Sequence, residues 1–333
     1  MKAFLLKRFG IDGLAFEDIP RPTPRHGQVL VKMRAWSINY RDFLVVRGIY
    51  APKLKLPFQI LSDGVGDVVE VGPGVTRAKP GDRVAGTFMQ RWIGGELTAE
   101  KSASALGGAI PGVAAEYVIL DNNGFVPVPP ELSDEEAATL PCAAVTAWHA
   151  LVSSGKLAAG ETVLVQGTGG VSLFALQFAH MMGARVIATS SSDAKLERVR
   201  ALGASDVINY KTTPDWGRKA RELTNGRGVD HVVEVGGAGT LPQSIDAVRI
   251  GGRISLIGVL TGGTVNPIPI LMKNIVVQGI YVGSRVMFEA MSDAITVNGL
   301  KPVIDRVFPF SDLPNALKHM ESGAHFGKIV LKA

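Results

Sequence analysis

At 333 residues the chain is long enough for about two domains, each with its own core. An apolar share of 46% with 20% charged residues suits a well-packed globular protein, and the net charge of +5 comes from scattered Lys and Arg, which argues against nucleic acid as a partner. No apolar run approaches the ~18 residues that span a membrane. The single cysteine leaves no intrachain disulfide, and Met1-Lys-Ala-Phe-Leu-Leu-Lys7 lacks the features of a signal peptide, so the cytoplasm is the expected location.

That first segment reads as a strand. Up to about residue 125, short β-rich runs such as Gln28 to Ala35 and Gly66 to Val71 are separated by Pro73-Gly74, Pro80-Gly81 and Pro111-Gly112. This predicts small antiparallel sheets curling into a barrel-like domain. Residues 94–112, rich in Gly, Ala and Ser, read as a mobile excursion.

The texture changes at Thr162-Val-Leu-Val-Gln-Gly-Thr-Gly-Gly-Val-Ser172. An apolar strand ends in a glycine cluster and a helical pattern follows to Met182. Gly167 permits the turn, Gly169 and Gly170 let the backbone approach a pyrophosphate, and the helix start at Val171 presents N–H groups to that anion. Ser172 stands where a third glycine is usual, which predicts slightly wider helix–strand spacing. Strands then alternate with helices: Arg185 to Ser190, a helix from Asp193 to Leu202 capped by Asp193, Ser205 to Tyr210, a helix from Asp215 to Thr224, His231 to Val235, and Arg253 to Ile257. The alternation implies a parallel, doubly wound sheet. Glu234 is a polar break in an apolar strand whose role stays open. Residues 264–282 are too apolar for a solvated edge and suggest pairing with another copy. From about 288 the first pattern returns, ending in a strand from Gly327 to Leu331. The expected division is 1–124 with 288–333, and 125–287.

Several segments in this order and spacing carry a resemblance that runs from end to end. They are Gly64-Val-Gly-Asp-Val68, Gly72-Pro-Gly-Val75, Gly81-Asp-Arg-Val-Ala-Gly86, Ala115-Glu-Tyr-Val118, Leu140-Pro-Cys-Ala-Ala-Val-Thr-Ala-Trp148, the glycine turn, and Phe326-Gly-Lys-Ile-Val-Leu331. The chain resembles the medium-chain dehydrogenase/reductases. The resemblance implies an α/β protein with a GroES-like β-rich catalytic domain and a Rossmann cofactor domain. It also implies that Thr146 packs on a nicotinamide, that Gly236 and Gly258 pass backbone beside its ribose and ring, and that Gly283 and Arg285 contact the nicotinamide half. Dimers that join cofactor-domain sheets edge to edge are common in the family, so a homodimer is expected.

Zinc-dependent members hold their metal with a Cys-His-Thr-Asp-like segment, a Gly-His-Glu segment and a later Cys. Here these align with Asn39-Tyr-Arg-Asp42, Leu61-Ser-Asp63 and Cys142, leaving one thiolate ligand where three protein ligands are needed. No zinc is expected. Ser37-Ile-Asn-Tyr-Arg-Asp42 with Arg47-Gly-Ile-Tyr50 is similar to the zinc-free quinone-reductase and enoyl-reductase branches. That similarity implies Tyr50 as a proton donor and Asn39 as a donor to the substrate carbonyl. Tyr50 reads equally as a packing aromatic and Asn39 as a backbone cap. Tyr40, at the former ligand-His position, either serves the site or fills the space left by zinc. Asp42 is expected to bond the backbone of its loop, and Cys142 to pack as a small hydrophobe.

NAD-specific units carry an acidic residue where the second strand ends, to accept from the ribose 2′-OH. That position is Ser190, with no carboxylate to repel a 2′-phosphate. Lys195 offers a cation, and Tyr210 matches an aromatic flanking the phosphate in NADPH-using relatives. NADPH is therefore favoured over NADH. The expected activity is hydride transfer from NADPH to quinones or other conjugated carbonyls. Metal-free alcohol dehydrogenase-type interconversion and a non-catalytic NADPH-binding protein are the alternatives.

Overall fold

The computed structural model describes every residue except Val259. The contacts divide the chain into two compact units, Met1–Val145 with Gly283–Ala333, and Thr146–Val282. Residues 125–145 and 283–287 thus pack with the first unit, whereas the expected boundaries place them in the second. The short β-rich runs end near 125, a local signal that does not coincide with where contacts cease.

The first unit is organised by one long strand, Gln28–Ile38. Asp63–Val71 pairs with it antiparallel along one side. Along the other, its first half pairs with Tyr117–Asp121 and its second half with Lys328–Lys332. The C-terminal strand therefore rejoins the N-terminal sheets, as its sequence predicts. Among the described residues this sheet has seven strands, and Lys2–Leu6 centres a separate three-stranded one. Trp36, fully buried, stacks on Phe310 at 3.9 Å between ring centroids and donates its indole N–H to Val113 O at 2.6 Å. That bond satisfies the polar edge of the largest core side chain.

Residues 94–112 are held more firmly than their composition suggests. Leu106 N donates to Phe88 O at 2.9 Å, Lys101 Nζ to Gly94 O at 2.9 Å, and Ala105 and Leu106 are buried in the core. Two apolar side chains in a Gly/Ala-rich run are enough to anchor it.

The second unit holds, among the described residues, a six-stranded parallel sheet. Its order is Asp206–Asn209, Arg185–Ser190, Thr162–Gln166, Val229–Glu234, Val248–Leu256, Val276–Gly279. The chain order reverses between Thr162–Gln166 and Val229–Glu234, the kind of switch point at which doubly wound sheets bind ligands. Thr162–Gln166 is buried throughout, as a central parallel strand with both faces covered must be.

Candidate active site

Thr162–Gln166 runs into Gly167, whose φ of +70° suits glycine, and into the helix Gly170–Met181 capped by Gly169. No side chain bonds the first turn, so the N–H groups at Gly170, Val171 and Ser172 are left for an anion. A Cβ built on Gly169 would meet nothing within 4 Å, so the turn opens onto free space. Ser172 Oγ donates to Gln166 O at 2.5 Å, linking helix to strand where a third glycine would allow closer packing.

The second strand ends at Ser190, whose carbonyl accepts from Tyr210 N at 3.1 Å. Ser190 and Tyr210 therefore meet at one sheet end, and Lys195 lies in the first turn of the helix that follows. That helix is capped by Ser192, whose Oγ accepts from Lys195 N, and not by Asp193. Ser192 has extended backbone (φ −131°, ψ 121°), as a cap requires, while Asp193 is already helical and accepts from Asn209 Nδ2 at 2.6 Å.

Glu234, left without a role by its sequence context, is fully buried. Its carboxylate accepts from Gly236 N (2.8 Å), Gly237 N (3.0 Å), Thr240 Oγ1 (2.6 Å), Gln166 Nε2 (2.7 Å) and Ser244 Oγ (2.5 Å). One carboxylate thus fixes the loop after its own strand and ties it to the strand before the glycine turn. Gly258 follows the neighbouring strand, where a Cβ would lie 1.6 Å from Val235 O. Thr146 is buried at the start of this unit.

In the first unit, Asn39 precedes the helix Tyr40–Val46. Its backbone N–H donates to Asp42 Oδ2 at 2.8 Å, so Asp42 does bond its own loop. Around them lies a buried polar cluster. Lys328 Nζ donates to Ile38 O at 2.8 Å and Asn39 Oδ1 at 2.5 Å. Asn39 Nδ2 donates to Ser62 Oγ at 3.4 Å, and Ser62 Oγ donates to Asp63 Oδ1 at 2.7 Å. Asp63 Oδ2 accepts from Cys142 N at 3.0 Å. Arg41 Nη1 stands 3.5 Å from Asp42 Oδ1, so two cations face two carboxylates. Burial raises the pKa of Asp42 to about 6 and raises that of Asp63; Arg41 opposes the first and Lys328 the second. Burial lowers Lys328 from the ordinary lysine value, against the pull of Asp63. Burial and then Asp63 push the Cys142 thiol far up, keeping it protonated.

Tyr50 and Tyr40 stand at the margin of this cluster. The Arg41 guanidinium donates to Leu106 O at 2.7 Å and lies over Phe88 (4.5 Å) and Tyr50 (5.3 Å). Tyr50 is exposed beside that cation. Tyr40 is 42% exposed and leans on Phe43, so it fills no interior space. Gly283 and Arg285 belong to the first unit. A Cβ on Gly283 would press on Val145, and Arg285 pairs with Asn123 Oδ1 at 2.9 Å and Glu289 at 3.3 Å. The structure thus places Asn39, Tyr40 and Tyr50 in one unit with Gly283 and Arg285. It places Thr146, the glycine turn, Ser190, Lys195, Tyr210, Gly236 and Gly258 in the other.

A zinc-binding dehydrogenase family model matches residues 170–297, and an alcohol dehydrogenase GroES-like domain model matches residues 25–130. A zinc-type alcohol dehydrogenase-like protein of Schizosaccharomyces pombe is 46% identical over 332 residues, spanning 97% of this chain and 96% of its own length. The chain belongs to the medium-chain dehydrogenase/reductases. Among solved structures, an NAD-dependent alcohol dehydrogenase superposes with TM-score 0.92 at 35% identity, over 100% of both chains. A mycobacterial protein complexed with NADPH gives 0.85 at 28%, over 100% of both. The quinone oxidoreductase from Coxiella burnetii gives 0.83 at 29%, over 100% of this chain and 99% of its own. This medium-chain dehydrogenase/reductase is an oxidoreductase, and the NADPH complex and the NAD-dependent enzyme among its structural relatives support a nicotinamide cofactor.

Catalytic zinc, which other members of the superfamily use, finds no matching ligands. Asn39, Ser62 and Cys142 align with the ligands of the three segments, Ser62 and not Tyr40 standing for the histidine; they offer an amide, a hydroxyl and a thiol. The Lys328 ammonium already bonds the amide oxygen. A dication there would stand beside the Lys328 ammonium with one sulfur ligand where three protein ligands are needed. Among the described residues, no group of three or more His, Cys, Asp and Glu is arranged to hold a metal. No helix among them is long and apolar enough to cross a membrane.

Sequence reasoning missed Lys328 and Arg41. A signal for the first was present: a lysine beside the apolar run Ile329-Val-Leu331, in a strand buried up to its last residue. Such a lysine needs a partner inside the protein.

Proposed function

We propose that this protein is a cytoplasmic, zinc-independent, NADPH-preferring oxidoreductase that reduces quinones or other conjugated carbonyl compounds. The observation that carries the reading is the buried cluster of Lys328, Asn39, Ser62 and Asp63, in which Asn39 and Ser62 align with metal ligands of zinc-dependent relatives. Without a Lewis acid to hold an alkoxide, simple alcohol oxidation loses its main support. A quinone or enone delocalises the charge that arrives with hydride and needs only a hydrogen-bond donor at oxygen. Asn39 Nδ2 supplies that donor, and Tyr50 or solvent supplies the proton. Ser190, Lys195 and Tyr210 support NADPH over NADH.

The alcohol dehydrogenase names among the relatives favour a second reading, metal-free interconversion of carbonyls and alcohols. Purified, metal-analysed protein mixed with NADPH or NADH and a panel of quinones, enones, aldehydes, ketones and alcohols separates the two. Quinone or enone turnover that ignores chelator and prefers NADPH is expected. Chelator-sensitive oxidation of simple alcohols would sink the zinc-free reading, and tight NADPH binding without turnover would point to a binding protein.

The same reading includes a homodimer. Val276–Gly279 is the open edge of the parallel sheet, and Leu271 and Met272 beside it are more than three-quarters exposed. Sedimentation at micromolar concentration should give a dimer; a lone monomer would remove it.

A further inference from the structure

In the first unit, residues from the segment 51–58 line an open pocket of about 460 Å³ together with Gly108 and Ala109. The walls are held from behind. Phe58 pairs with Leu6 in the three-stranded sheet, Leu54 and Phe58 pack on the unit's core, and Ala109 N donates to Ala105 O at 3.0 Å. Apart from Lys53 and Lys55 the lining is apolar.

The charge around it is one-sided. Residues 43–62 include Arg47, Lys53 and Lys55 and no Asp or Glu; residues 101–115 include Lys101 and no Asp or Glu. Arg47 is paired with Glu321, and Lys101 is spent on the carbonyls of Gly94 and Glu96. Arg41, against which a Cβ on Gly108 would press, faces Asp42. Lys53 and Lys55 have no ion pair among the described residues, so they are the uncompensated charge at the pocket. Two ammonium groups beside an apolar wall attract an anion more strongly than they would in open water, because the wall holds no solvent to screen them. A molecule with an apolar body and a negative group therefore matches both halves of the lining.

The pocket begins at the residue after Tyr50, and the guanidinium behind Gly108 is the one that lies over Tyr50. We propose that the pocket holds the non-reacting end of the substrate, and that Lys53 and Lys55 select acceptors bearing a carboxylate or phosphate on an apolar body. The proposal rests on the acceptor reading above and narrows it to anionic conjugated carbonyl compounds. The lysines touch no reacting atom. They raise affinity for the charged substrate, so their loss should appear in KM before kcat.

The test uses the full protein with NADPH and the enone benzalacetone, alongside its para-carboxylate and para-phosphate derivatives. Both lysines are exposed, so their variants should fold. Comparing a variant with the parent cancels the intrinsic reactivity of each compound. In Lys53→Gln/Lys55→Gln the ratio of kcat/KM, charged to neutral, should fall by ~10-fold for at least one anion, mainly through KM. The anion with the larger fall is the one the pocket is built for. A ratio within ~2-fold of the parent for both anions overturns the proposal. Ala109→Trp keeps both lysines and puts an indole at the pocket wall, and it should lower kcat/KM for the charged acceptor by a similar factor. Parent-level turnover there would mean that the lysines act at long range, and the pocket assignment falls.

A readout independent of turnover is saturation-transfer NMR with benzoate, phenyl phosphate and the neutral benzamide. One of the anions should bind the parent more tightly than benzamide and lose that margin in Lys53→Gln/Lys55→Gln. Benzamide binding as tightly as both anions overturns the proposal. A margin found in a protein that reduces neither quinones nor enones would fault the acceptor reading and leave the anion pocket intact.

Discussion

Gln166 and Glu234 stand at the ends of neighbouring parallel strands, and the Gln166 amide donates to the Glu234 carboxylate at 2.7 Å. Gln166 Oε1 returns a bond by accepting from Val235 N at 3.2 Å. The pair couples the strand that enters the glycine turn to the loop that begins at Gly236. Glu234→Ala would take the shared acceptor from five donors, of which Gln166 Nε2 keeps Ser244 Oγ and Thr240 Oγ1 keeps Gly237 O, and is expected to cost roughly 3 kcal/mol or more. Cofactor affinity should fall with it, because Gly236 and Gly237 lose their tether. Denaturant midpoints and a cofactor titration measure both; an unchanged pair of values would mean the loop holds itself.

The second prediction concerns the cofactor's ribose. Ser190→Asp restores a carboxylate at the end of the second strand, beside Tyr210. NADPH binding should weaken by ~10–100-fold, from like charge against a 2′-phosphate, while NADH binding holds or improves. Equal losses for both cofactors in a fluorescence titration would place the 2′ position elsewhere.

Tyr50→Phe separates proton donation from packing. The ring keeps its place under the Arg41 guanidinium, 5.3 Å away, and only the hydroxyl is lost. Hydride transfer to an enone leaves a carbon to be protonated, whereas a reduced quinone collects its protons from solvent on oxygen. Enone turnover should drop by ~10²-fold with quinone turnover nearly unchanged. If both survive, solvent is the donor for both.

Asp42 makes stability depend on pH in a defined direction. Its folded pKa, near 6, lies above the ordinary aspartate value of 3.8 because burial disfavours the anion. Its contribution is complete below about pH 4 and is lost as pH rises through about 6, where the buried group must ionise. Asp42→Asn keeps an oxygen to accept from Asn39 N and removes that cost. It should raise stability at pH 7 by ~1–3 kcal/mol and flatten the melting temperature between pH 4 and 6. A melt series in which the variant tracks the parent across that range would contradict it.

The cofactor unit was the legible part of the sequence. Strand, glycine turn and helix follow one another within a few residues, and periodicity marks each one. Arg185–Ser190 is bounded in the structure as in the sequence reading. The helix cap at Ser192 was misassigned because Ser and Asp both cap well, and only backbone geometry tells which of two adjacent residues is outside the helix. The polar cluster was half legible. Asn39, Asp42 and Cys142 stood out by comparison with metal ligands, but Lys328 bonds residues about 290 positions away, and no local pattern reports such a pairing. Glu234 was visible only as an oddity, since its meaning lies in donors from a neighbouring strand, a loop and a helix.

The two units also differ in how a growing chain can make them. Thr146–Val282 is continuous and can close as soon as it is synthesised. The other unit must wait for its last strand, Lys328–Lys332, to slot beside a strand built from residues 28–38. During that interval Asp42, Asp63 and Asn39 lack the ammonium that orders them. The polar cluster is therefore completed only when Lys328 docks beside residues about 290 positions earlier in the chain.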